Sequence, residues 1–192
     1  MASLPTLALG TFANVSSTAI QGSDPVLEEI ASTDDTDYVY DATNSTHTGT
    51  ARFALEDMPA DLGNVDTLFC QLRYALATGV PSNLWDALRA RVFKSDGTTA
   101  LTNSLTIAST IVTTTITNSS VLQFTGVDTA ATKADWNAAV VHVLFDITRV
   151  KGGDTLQKRV FAAELTGTYT IATGISQPLS GKLMDKLTGR LG

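Results

Sequence analysis

From Val65 to Leu76 the chain alternates as a half-buried strand does. Leu68, Cys70, Leu72, Tyr74 and Leu76 fall on one face, and Thr67, Gln71 and Arg73 on the other. A period of two over twelve residues is incompatible with a helix, because helical side chains return to one face at a period of 3.6. The same alternation recurs in Arg52–Glu56, where Phe53 and Leu55 oppose Arg52, Ala54 and Glu56. It returns in 84–94, which sets Leu84, Asp86, Leu88, Ala90 and Val92 against Trp85, Arg89, Arg91 and Phe93. Two later runs follow it. In 139–148 Val141, Val143, Phe145 and Ile147 share a face, and in 158–170 Phe161, Ala163, Leu165 and Gly167 oppose Val160, Ala162, Glu164 and Thr166.

The residues between and within these runs reinforce the β reading. Thirty of 192 residues are threonine, which is β-branched and suits a pleated surface better than a helix. Leu105–Thr117 is built almost wholly of Thr, Ser and Ile, and reads as one or two strands, with a further short strand over Val121–Phe124. Met58–Asn64, Gly79–Asn83 and Lys151–Asp154 are turn sequences, and Ser95-Asp96-Gly97-Thr98 carries the Asp-Gly pair of a tight hairpin. Asp128–Asn137 is the one helical candidate between strands, with Asp128 or Thr129 as its cap. Many short strands with regular turn signals predict an all-β, antiparallel β-sandwich of jelly-roll type over residues 24–175. Leu68, Leu72, Leu88, Val92, Val143 and Phe145 are its expected core.

The two ends differ from this body. Residues 1–23 contain no charged side chain. With Leu4, Leu7, Leu9 and Phe12 as its apolar residues, the stretch reads either as a first edge strand or free tail, or as an extended N-terminal arm that covers a neighbouring subunit, and the arm is the reading carried forward. In residues 176–192, Leu179, Leu183, Leu187 and Leu191 repeat at helical spacing beside Lys182, Lys186 and Arg190. That pattern predicts a short C-terminal amphipathic helix, too short to stand alone in water, that docks either on its own domain or on another subunit. These eleven residues are the candidate partner-binding set.

Chemistry is sparse. Asp supplies most of the acidic residues, the formal charge is −6, and no basic surplus exists to neutralise phosphates, which argues against nucleic acid. No apolar run approaches the length of a membrane-spanning helix, and the N-terminus lacks the basic start of a signal peptide. Cys70 is the only cysteine and sits on an inward-reading face. His47 and His142 have no partner at metal-ligand spacing, and no phosphate loop, nucleophile elbow or cofactor motif is present. The acidic cluster Asp34, Asp35, Asp37 and Asp41 lacks the spacing of a calcium loop and reads as a solvated patch around Tyr38 and Tyr40. No catalytic, cofactor or metal residue is therefore assigned, and the chain reads as a non-enzyme.

The order of these elements carries a resemblance. Asp35-Thr36-Asp37-Tyr38-Val39-Tyr40 precedes a polar loop, Phe53-Ala54-Leu55 and Val65-Asp66-Thr67-Leu68. Arg89-Ala90-Arg91-Val92-Phe93 then leads into a hairpin, and Trp136 and Val160-Phe161-Ala162-Ala163-Glu164-Leu165 follow. Over about residues 33–172 this texture resembles the jelly-roll virion proteins of tailed bacteriophages. The resemblance implies a structural, non-enzymatic role in the virion, foremost as a capsid decoration or cement protein. Its partners would be other copies of the chain and major capsid or tail subunits. The alternatives it implies are a tail, neck or fibre component, or a jelly-roll module that binds a glycan or a host surface.

Overall fold

The computed structural model describes residues 1–21, 35–41, 46–77, 85–111, 113–147 and 157–172. Within them lie twelve strands and one short helix. The strands are β1 (Ala2–Ser3), β2 (Leu7–Ser16), β3 (Thr18–Gln21), β4 (Tyr38–Asp41), β5 (His47–Leu55), β6 (Leu62–Leu76), β7 (Trp85–Phe93), β8 (Leu105–Ile111), β9 (Thr117–Asn118), β10 (Leu122–Gln123), β11 (Val140–Ile147) and β12 (Lys158–Ile171). The helix α1 (Lys133–Asn137) precedes β11. The chain is all-β, as the alternation predicts.

The strands form two antiparallel layers. Sheet I is built on the long β6–β12 pair. β9 and β10 lie on the outer edge of β6, while β4, the start of β2 and β1 share the far edge of β12, with β3 beyond β4. Sheet II runs β2-β5-β11-β7-β8. Connections β5 to β6, β6 to β7 and β11 to β12 each cross from one layer to the other, which gives the sandwich its jelly-roll winding. The core lies between the layers. Leu68, Leu72, Leu88, Val92, Val143 and Phe145 are all fully buried in it, with Phe53, Trp136 and Leu165.

The N-terminal stretch is part of this body, which corrects its reading as an arm. Leu4, Leu7 and Leu9 are buried in the chain's own core. β2 pairs first with β12, through Leu7 opposite Leu165, and then with β5, from Leu9 opposite Leu55 onward. Phe12 packs on Phe53 with ring centroids 5.7 Å apart. An uncharged stretch is what a strand closing two layers requires, and here the layers belong to the same chain. Leu179, Lys182, Leu183, Lys186, Leu187, Arg190 and Leu191 lie outside the described residues, as do the expected turns at Gly79–Asn83 and Lys151–Asp154.

Two local expectations shift. The helix starts at Lys133 rather than Asp128, because Thr132 is its N-cap. Thr132 Oγ1 accepts from the Asp135 amide at 3.2 Å, and Asp135 Oδ2 accepts from the Thr132 amide at 2.9 Å, a capping box. Asp128 instead closes the preceding turn, accepting from the Ala130 amide at 3.0 Å. In β12 a register shift between Val160 and Ala162 turns Val160 inward with Ala163 and Leu165, while Phe161 packs on Tyr38 at 5.3 Å. The Asp-Gly hairpin forms as expected: Gly97 has φ +69, and the Lys94 amide donates to the Thr99 carbonyl at 2.8 Å.

Candidate functional site

The outer face of sheet II is set by β11. Its inward residues Val141, Val143, Phe145 and Ile147 are committed to the core, so His142, Leu144 and Asp146 face outward. Register places Asp146 between Thr48 of β5 and Ala87 of β7, Leu144 between Thr50 and Arg89, and His142 between Arg52 and Arg91. Rows of three side chains thus cross the sheet from strand to strand.

At the Asp146 end the face sinks into a hollow of about 580 Å³, lined by Thr46, His47, Thr48, Asp86, Ala87, Arg89, Asp146 and Ile147. Asp146 organises it. Arg89 Nη2 donates to Asp146 Oδ1 at 2.7 Å, Arg89 Nε meets the other carboxylate oxygen, and Thr48 Oγ1 donates to Oδ1 at 2.9 Å. A two-pronged guanidinium–carboxylate pair fixes the plane of both groups. His47 is held from behind: its Nε2 lies 2.6 Å from Asp41 Oδ2, and Asp41 is fully buried. Gly49 makes room for this carboxylate, because a Cβ there would overlap Asp41 Oδ2. Asp86 lines the hollow although strand alternation groups it with Leu88. It stands one residue into β7, at the end of the strand that borders the hollow.

The polar groups of the hollow are largely committed to one another. The hydroxyl beside His47, Thr48 Oγ1, donates to Asp146 and is not activated by the imidazole. Burial pushes the Cys70 thiol up to about 12, which leaves no thiolate to act as a nucleophile. Among the described residues no group of three or more His, Cys, Asp or Glu is placed to hold a metal ion. Of the acidic cluster read near Tyr38, Asp34 lies outside the described residues, and two of the others are paired. Asp35 pairs with Arg73 at 2.8 Å, and Asp41 with His47.

None of the hollow's residues belongs to the partner-binding set read from the sequence. They come from three strands and meet only through the register of β5, β11 and β7, so no local motif announces them. The nearest sequence signal is Arg89 and Arg91 on the face of 84–94 opposite Leu88 and Val92.

No family model matches the sequence, and no curated protein matches it. Solved structures resemble the sandwich. One is the Clostridium thermocellum N-terminal endo-1,4-beta-D-xylanase 10B, its CBM22-1 and GH10 modules complexed with xylohexaose (TM-score 0.47, 10% identity). The match covers 90% of this chain and 30% of that one, so this chain spans under a third of that structure's length. Another is a xylan-binding domain from CBM 22 (TM-score 0.40, 14% identity), matched over 85% of this chain and 98% of that one. At such identities the likeness concerns the arrangement of strands alone.

Proposed function

We propose that the chain is a non-catalytic jelly-roll binding module that takes a carbohydrate in the hollow on the outer face of sheet II. The observation that supports it is the Arg89–Asp146–Thr48 constellation, open on one side and pinned on the other by the sheet. Sugars present vicinal hydroxyls that both donate and accept. Fixed carboxylate and guanidinium edges match such pairs, and a site held on strands loses little entropy on binding. The test is a titration of the full chain against a panel of immobilised glycans. Arg89→Ala and Asp86→Asn are expected to weaken the bound glycan at least tenfold while the thermal midpoint stays within a few degrees. Absence of any glycan binding, or binding indifferent to both substitutions, overturns the reading.

The setting proposed for this module is a virion. The repeat of Leu179, Leu183, Leu187 and Leu191 beside Lys182, Lys186 and Arg190 favours attachment to a neighbouring subunit through that segment. A chain lacking residues 176–192 is then expected to fold, to bind glycan and to fail to join the particle. Incorporation of the shortened chain at full level would refute attachment through that segment.

A further inference from the structure

Two rows from the hollow on the same outer face, Arg52 of β5, His142 of β11 and Arg91 of β7 stand side by side, His142 being the register partner of both arginines. Each guanidinium spends one N–H on a main-chain carbonyl: Arg52 Nη2 to Ser95 at 2.6 Å and Arg91 Nε to Thr102 at 3.0 Å. A guanidinium has five N–H groups, so most of its donor capacity is unspent. The ion pairs among the described residues engage His47, Arg73, Arg89 and Lys94, and neither of these two arginines. The nearby acids are committed elsewhere. Asp96 accepts from the Thr98 and Thr99 amides at 2.7 and 2.8 Å, and Asp135 is shared by Lys94 and Thr132. In a chain of formal charge −6, no carboxylate among the described residues is paired with either arginine of this row.

His142 adds a second observation. It is 8% exposed, and its Nε2 is buried with no hydrogen-bond partner. A buried polar atom left unmatched is costly, so such an atom marks a place where a partner belongs. Burial, and then the charge of Arg52, hold the imidazole below its ordinary pKa. Gly97 brings the 94–99 hairpin against the same two nitrogens: a Cβ on it would lie 3.3 Å from Arg52 Nη1 and 3.5 Å from His142 Nε2, so these two nitrogens are close neighbours beside the hairpin. Phe93 walls the site, its ring 4.5 Å from that of His142 and 5.0 Å from the Arg91 guanidinium carbon.

We propose that Arg52, His142 and Arg91 form a subsite for an anionic oxygen group, a carboxylate or a sulfate, carried by the saccharide that lies in the hollow. The module's ligand is accordingly an acidic glycan. Asp146 and His142 are four residues apart along β11, about 13 Å at the rise of a strand, so one oligosaccharide lying along the strand reaches both. The planar fork of arginine is the side chain best matched to such oxyanions. The saccharide half of the proposal rests on the reading of the hollow, and the anion half does not.

The test uses the full chain and its two histidine ring signals by NMR. Sodium sulfate and sodium glucuronate, titrated separately at constant ionic strength, are expected to shift the His142 ring signals and raise its pKa, with His47 unmoved. Arg91→Gln should weaken that response at least tenfold, and Arg52→Lys, which keeps the charge, should retain most of it. A neutral oligosaccharide is then compared with its uronate-bearing and sulfated counterparts. One of the acidic forms is expected to bind at least tenfold tighter, an advantage lost in Arg91→Gln, and which one wins identifies the anion. If neither salt moves His142, the subsite is wrong whatever the glycans do. If glycans bind equally with and without charge, the subsite falls and the hollow stands. If the salts move His142 and no oligosaccharide binds, the anion site stands and the hollow does not.

Discussion

Replacing Leu72 by Ala tests the core where the structure makes its cost calculable. Leu72 is fully buried in the middle of β6, opposite Ala163 of β12. Its main chain is locked on the other side as well: its amide donates to Ser119 Oγ at 3.1 Å, and its carbonyl accepts from the Ser119 amide at 2.8 Å. The substitution removes three carbons from the interior. At ~0.8 kcal/mol for each, the lost transfer energy is ~2.4 kcal/mol. The neighbours cannot close the gap, because the strand is held at both edges and the residue across the ladder is already an alanine. A residual void of ~50 Å³ adds ~1.2 kcal/mol. The expected loss is therefore ~3.5 kcal/mol in urea unfolding at unchanged slope, a large part of the stability of a domain this size. Val121→Ala, at a residue 56% exposed, is the control and should stay within ~0.5 kcal/mol. A loss below ~1.5 kcal/mol for Leu72→Ala would show that the strand moves to fill the space and that β6 is not held as described.

Two further outcomes follow from buried titratable groups. Cys70 has its thiol pushed from 9.0 up to about 12 by burial, so at pH 8 its thiolate fraction falls about a thousandfold; an aromatic disulfide reagent should label the native chain only as fast as the sandwich opens, and rapid native labelling would contradict the burial. His142 is held below its ordinary value of 6.5, so the unfolded chain takes up this proton before the folded one does. Its contribution is present above pH ~6.5 and is lost as the pH falls below that, so the urea midpoint should drop over that interval, less steeply in His142→Gln; equal slopes in both proteins would remove His142 from the effect.

Much of the layered fold is legible in the chain because alternation survives locally. Leu68, Cys70 and Leu72, or Val141, Val143 and Phe145, need no knowledge of their neighbours to declare a buried face. What depends on pairing is not legible. The uncharged stretch from Leu4 to Phe12 announces burial but not whose surface covers it, and the covering strands β12 and β5 lie far along the chain. The helix start was hidden because Asp128, Thr129 and Thr132 are all of types that cap helices, and Asp is the stronger type. The turn that Asp128 makes with Ala130 decides between them. Asp86, the second residue of β7, shows the limit of a period-two reading at a strand's end, where a side chain grouped with the core can still line the rim. The hollow and the basic row are products of register. Arg52, Arg91 and His142 become neighbours only once β5, β11 and β7 align, and Asp146 meets Thr48 and Arg89 for the same reason.

The strand β2 has a mechanical consequence. Its first residues are bonded to sheet I and the rest to sheet II, with Gly10 at the crossing, where a Cβ would come within 3.4 Å of the Ala54 carbonyl. The two layers are thus joined along one side by continuous backbone, as the boards of a book are joined at the spine. Sliding one board over the other would stretch covalent chain and break ladder bonds together. At the far side β8 faces β6 and β10 without a shared ladder, and single main-chain bonds such as Leu76 N–H to the Thr113 carbonyl at 2.9 Å tie the layers instead. Thermal breathing should therefore open the sandwich from the β8 edge, and the amides of Leu7 and Leu9 should be among the last to exchange with solvent.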